Sequence, residues 1–197
     1  MQSWAAFQGE RCLLAGSPRE VAAAVKLASD LDDSRPILIF DNATGRQIDI
    51  DLRGSLTDML SRLPDSDAEA EVEPPQSRGP GRPKLGVVAR EVTLLPRHWE
   101  WLSAQPGGAS VALRKLVDAA RGVNAAHDRA RRAREVTDQF MAVLAGNQPG
   151  YEEAARALYA GDRSAFRQQI ESWPPDVRRH VLHLARDAFD PNGALGT

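Results

Sequence analysis

Cysteine is almost missing from this chain: Cys12 is the single one among 197 residues. One thiol cannot form an internal disulfide, which excludes a disulfide-stapled secreted scaffold. Among its apolar neighbours Cys12 reads as a small buried hydrophobe. Long hydrophobic runs are missing too, and none approaches the length needed to cross a bilayer. The start, "MQSWAAFQGERCLL", lacks a basic stretch followed by an apolar one, so no secretory signal is read there. A cytoplasmic location, away from membranes, is the expectation. No Walker-type loop, no G-x-G-x-x-G and no G-x-S-x-G pattern is present, and the chemistry those glycines serve loses its usual sequence support. No internal repeat stands out.

What is present is a charge asymmetry hidden by a net charge of −2. Residues 1–76 carry 7 Lys/Arg against 14 Asp/Glu, residues 77–134 carry 12 against 4, and residues 135–197 carry 6 against 9. A basic centre between acidic ends attracts polyanions. The alternative is that it neutralises the acidic ends within one molecule. Hydrophobic residues make up 42% and charged residues 26%, as in ordinary folded proteins.

Four segments are expected. Residues 1–63 read as a small α+β unit, βαββα-like. "AFQGERCLLAG" has two apolar runs around Gly9-Glu10, the pattern of a hairpin or bent strand. Ser17-Pro18-Arg19-Glu20 is a helix start, with Ser17 as N-cap, Pro18 at N1 and Glu20 closing a capping box. Val21, Ala24, Val25, Ala28 and Leu31 fall on one face of that helix. Ile37–Phe40 form an apolar strand, "DNATG" is turn chemistry, and Ile48, Ile50 and Leu52 alternate with charges as in a half-buried strand. Ser55 opens a short helix. Residues 64–86 lack hydrophobic periodicity and read as a flexible, disordered charged linker, acidic and then basic. Residues 87–134 hold a strand-like run, a short helix, a glycine turn and a longer helix capped by Ser110, with "HDRARRAREV" a solvated basic helix or its continuation. Residues 135–197 read as a helical extension broken at Gly146, Pro149-Gly150, Gly161 and Pro174-Pro175, with a frayed tail.

The most informative stretch is residues 90–121. Val92-Thr93-Leu94-Leu95-Pro96 has the form of a strand ended by proline. Trp99 and Leu102 are placed for the core of a first helix. Gly107-Gly108-Ala109-Ser110 has the form of a turn and cap, and Leu113, Leu116 and Val117 line a second helix beside Arg114 and Lys115. This plan resembles ribbon-helix-helix proteins of the MetJ/Arc type. The resemblance implies a homodimer in which two copies of the strand pair as a ribbon in the DNA major groove. It also implies a second-helix N-terminus that holds phosphate. Leu95, Trp99, Leu102, Leu113, Leu116 and Val117 would then form the dimer core. Period-2 alternation leaves two registers open: one turns Arg90, Val92 and Leu94 outward, the other Glu91, Thr93 and Arg97. Just upstream, Pro80-Gly81-Arg82-Pro83-Lys84 is similar to an AT-hook, with Pro80 where that motif has its first arginine and Arg78 close by. A thin, proline-stiffened arm of this kind suits a narrow A·T minor groove. "GRPKLGVVAREVTLLPRHWEWL", "QPGGASVALRKLV", "LIFDNATGR" and "DLRGS" also resemble a bacterial family of uncharacterised proteins, a likeness that covers most of the chain and implies no activity.

The catalytic and metal readings are weaker. His180, His183 and Asp187 share a helical spacing that can hold a metal, but Val181, Leu182 and Leu184 make the same stretch a packed helix with surface histidines. Asp41, Asp49 and Asp51 surround a hairpin turn. Ser110 has no evident His or Asp partner. An enzyme, a cofactor and a metal are therefore not expected. Trp99 and Trp101, two apart, point to different sides of a helix, one to a core and the other to a second surface. The expected function is DNA binding by a regulator or architectural protein. Arg78, Arg82 and Lys84 would act on the minor groove or phosphates, Arg90, Thr93 and Arg97 on the major groove, and Ser110, Arg114 and Lys115 on phosphates. The rival is a protein-interaction or oligomerisation module without nucleic acid.

Overall fold

A computed structural model describes residues 2–31, 35–63, 88 and 90–189. The linker residues Arg78, Arg82 and Lys84, and the tail, lie outside the described residues. The chain divides into two compact units, one of Met1–Glu69 with Ala126–Thr197, the other of Ala70–Ala125. The class is α+β: a small antiparallel sheet with helices.

The first unit begins with a hairpin, β1 (Trp4–Gln8) and β2 (Arg11–Gly16), turned at Gly9. Helix α1 (Pro18–Asp30) follows, then β3 (Ile37–Asp41), β4 (Gln47–Ile48) and α2 (Leu56–Arg62). The order is therefore ββαββα, one strand more than the βαββα expectation, because the apolar runs around Gly9 form two paired strands. The four strands lie in the order β2-β1-β3-β4, every neighbouring pair antiparallel. β1 sits inside the sheet and is covered on both faces, which explains why Trp4-Ala5-Ala6-Phe7 is a continuous apolar run and not an alternating one. Trp4 and Ala6 face α1 and α2, and Ala5 and Phe7 face the opposite side.

Local chemistry sets the helix starts. Ser17 accepts from the Glu20 N–H while the Glu20 carboxylate receives the Ser17 N–H, and Ser55 and Asp58 repeat the arrangement at α2. The buried stripe of α1 is Pro18, Val21, Ala22 and Val25. Leu31 is not part of it: the helix ends at Asp30, and Leu31, at the cap, is exposed. β4 is shorter than the alternation suggested; Ile50 and Leu52 lie beyond it yet still pack on the Val21–Met59 core. Between β3 and β4 the Asp41 carboxylate receives the Ala43 N–H at 2.9 Å, and Gly45 closes the turn at φ +71°.

Residues 126–189 do not stand apart as an extension. The end of α4 (Gly108–Leu144), with α5 (Tyr151–Ala160), α6 (Arg163–Gln169), α7 (Pro175–Leu184) and a 3-10 turn at Ala185–Ala188, packs on the free face of the sheet. Phe7 and Phe40 from the strands meet Phe140 from α4 at ring separations of 5.4 and 4.8 Å. Trp173 donates its indole N–H to the Pro149 carbonyl at 2.8 Å, tying the segment after α6 to the start of α5. The boundary expected at residue 134 falls inside α4, which is continuous there.

The second unit contains α3 (Pro96–Ser103) and the start of α4. Pro96 occupies the first turn of α3, as its fixed φ favours. Gly107 and Gly108 take φ of +87° and +72°, so the chain re-enters a helix through two left-handed residues. α4 begins at Gly108, which puts Ser110 inside its first turn and not at the N-cap. Residues 90–95 have no regular secondary structure and, among the described residues, pair with no strand.

Candidate functional site

In the second unit every described polar residue singled out from the sequence is exposed: Arg90, Thr93, Arg97, Ser110, Arg114 and Lys115. The extended approach to α3 presents Arg90 and Thr93, the first turn of α3 presents Arg97, and the second turn of α4 presents Arg114 and Lys115. None has an ion-pair partner among the described residues. Arg90, Arg97, Arg114 and Lys115 among them are cations in water, suited to a polyanion and contributing little to the fold, and Thr93 and Ser110 add neutral hydroxyls.

The apolar residues of this unit are less covered than a folded core requires. Only Leu102 and Ala112 are buried among its described residues. Leu95, Trp99, Leu116 and Val117 are 48%, 39%, 49% and 54% exposed, and Trp101 is 53% exposed. Both tryptophans, not one of the two, reach the surface of the single chain. Leu94, His98, Trp101, Leu102, Leu113 and Leu116 line an apolar groove of about 280 Å³. Exposed apolar patches are a common feature of interaction sites.

The first unit carries a second feature, which sequence reading did not assemble. A cleft of about 650 Å³ opens where the β2 edge meets α7, lined by Ser3, Cys12, Asn42, Asp176, Arg179 and His180 among others. The bulge between Ala6 and Phe7 opposes β1 to an extra β2 residue. The Cys12 N–H there is received by Asp176, in the first turn of α7, at 3.0 Å. Asp176 also holds Arg179. One turn on, His180 is 7% exposed, its ring 4.7 Å from Phe140 and 5.4 Å from Phe7. Burial, helped by His183, pushes its pKa down to about 4, so the imidazole is neutral at neutral pH. Burial, followed by the Asp176 charge, raises the Cys12 thiol, which therefore stays protonated and lacks the thiolate character of a nucleophile. Sequence spacing had shown His180 and His183 on one helix, but only the fold brings Cys12 and Asn42 to them.

His180, His183 and Asp187 do not form a metal site: among the described residues no three His, Cys, Asp or Glu side chains are placed to share an ion. Among the described residues no helix is long and apolar enough to cross a membrane. No curated protein and no solved structure matches the chain. A family model does match, over residues 3–185 and so across both compact units, and on that match the chain belongs to the family described as "Uncharacterized protein conserved in bacteria (DUF2239)".

Proposed function

We propose that the protein binds DNA as a homodimer built on its second unit, as a regulator or architectural protein. The observation that carries this reading is the mismatch within that unit. It has two buried residues among those described, yet Leu95, Trp99, Leu116 and Val117 remain open. Burying one such side chain fully is worth about 1.5–3 kcal/mol, and a helix pair this small gains a core most readily by pairing with its copy. Leu95, Trp99 and Leu102 recur along α3, and Leu113, Leu116 and Val117 along α4, so a two-fold partner can meet both helices at once. Residues 90–95 lack a strand partner among the described residues and are available to pair with their copy.

The exposed cations give such a dimer its nucleic-acid side. Arg90, Thr93 and Arg97 precede or open α3, and Arg114 and Lys115 follow the α4 start, where free backbone N–H groups favour phosphate. Arg78, Arg82 and Lys84 would add the minor-groove arm.

The test is to break the dimer and read DNA binding. Leu116→Asp, at a half-exposed position and with its fold checked by circular dichroism, is expected to give a monomer by sedimentation and to weaken duplex binding at least tenfold, since the ribbon needs two strands. A monomeric wild-type protein, or a monomeric variant with full DNA affinity, removes the reading. A wild-type dimer without DNA binding leaves the interaction-module reading, which the same exposed apolar residues support.

A further inference from the structure

The cleft of the first unit has the marks of a ligand site. It continues into a second hollow of about 350 Å³ that shares Ser3, Asn42 and His183 and adds Arg129, Arg132 and Asp187. Two polar atoms at its wall are buried and unpartnered: Nε2 of His180 and Oδ1 of Asn42. His180 is more than nine-tenths buried, so this nitrogen cannot turn out to bulk water. The Asn42 side-chain amide already donates to Ser3 at 3.2 Å, and its oxygen remains a buried acceptor without a partner.

The charge at the mouth is positive. Arg129, Arg132 and Arg179 line the two hollows against Asp176 and Asp187. Asp176 is already spent on the Cys12 N–H and on Arg179, and Arg129 and Arg132 have no ion pair among the described residues. Guanidinium groups of this kind hold carboxylate or phosphate in a forked geometry. We propose that this cleft binds a small organic anion that also carries a hydroxyl or amino group. The anionic end would lie against Arg129 and Arg132, and the hydroxyl or amino group would donate to Asn42 Oδ1 and meet His180 Nε2. A neutral imidazole suits the second role, because it offers a hydrogen bond without adding charge.

The site lies wholly in the first unit and does not depend on the second unit or on DNA. The full chain is titrated, without DNA, with glycerol 3-phosphate, with malate and with glycerol, by calorimetry and by the imidazole signals of His180 and His183. At least one of the two anions should bind saturably at one per chain; glycerol 3-phosphate alone marks a phosphate site, malate alone a carboxylate site. Glycerol should not bind. Arg129→Gln with Arg132→Gln should weaken the anion at least about tenfold, while Arg156→Gln, an exposed control on α5, should leave it unchanged; thermal melts show that both variants fold. His180→Phe, which keeps an aromatic ring in place, should weaken whichever anion binds. Failure of both anions to saturate below about 10 mM, equal binding of glycerol, or binding indifferent to the arginine pair would overturn the proposal.

Discussion

Gly45 shows how much of the first unit rests on single atoms. A Cβ built there would lie 2.1 Å from the Val136 carbonyl oxygen and 2.9 Å from its carbon, both backbone atoms of α4. The residue also holds φ +71°, which side chains other than glycine adopt at a cost. Gly45→Ala must therefore move a helix or a turn, and it is expected to destabilise the protein by about 3 kcal/mol or more in chemical denaturation. A loss below about 1 kcal/mol would mean that the turn and α4 are not packed this closely.

His180 makes a second residue-scale prediction. An unfolded histidine takes up its proton near pH 6.5, but buried His180 does so only at about 4. Between these values the unfolded state binds more protons, so stability is full above about pH 6.5 and falls as pH is lowered towards 4. At about 1.4 kcal/mol per pKa unit, the loss is on the order of 3 kcal/mol. The groups around it in the cleft, His183, Asp176, Arg179 and Cys12, set the background charge. His180→Phe should flatten this part of the pH–stability curve. An unchanged slope would place the acid sensitivity elsewhere.

At the level of elements, the clearest case is the 37-residue α4. Gly122 lies within it, exposed, with nothing within 4 Å of an added Cβ and no left-handed φ. Gly122→Ala should raise helix stability by about 0.5–1 kcal/mol, read as a higher melting temperature by circular dichroism. A drop would show that the glycine bends the helix or packs on a partner. Elements written in local chemistry are legible in the sequence: the Ser17 capping box, the helix start at Ser55, the apolar runs around Gly9 as a hairpin or bent strand, and the Asp41–Gly45 turn all involve residues a few positions apart. Ser110 was misread because two left-handed glycines start the helix earlier than a serine cap would. The joining of α5–α7 to the sheet was not legible, since periodicity in residues 135–189 gives an apolar face but not its partner. The cleft was hidden for the same reason, with Cys12 and Asp176 bonded across a separation of 164 residues.

For the whole molecule, the acidic–basic–acidic order of charge now has a structural counterpart. The acidic N-terminal segment and the C-terminal segment share one unit, and the basic residues from Arg90 to Arg121 lie in the other. Among the described residues, Arg90, Arg97, Arg114 and Lys115 of that second unit stand in solvent without ion pairs, whereas in the first unit Arg134 is taken up by the Ala188 carbonyl at 3.0 Å and Arg131 by Asp128 at 3.2 Å. The proposed DNA binding requires these cations to meet phosphate. It is tested most directly by the affinity of the full chain for mixed-sequence duplex DNA across a range of salt concentrations. The logarithm of the binding constant should fall linearly with the logarithm of salt, and Arg114→Ala with Lys115→Ala should make that slope shallower by about 2. No duplex binding at low salt, or a slope that these two residues leave unchanged, would contradict the account.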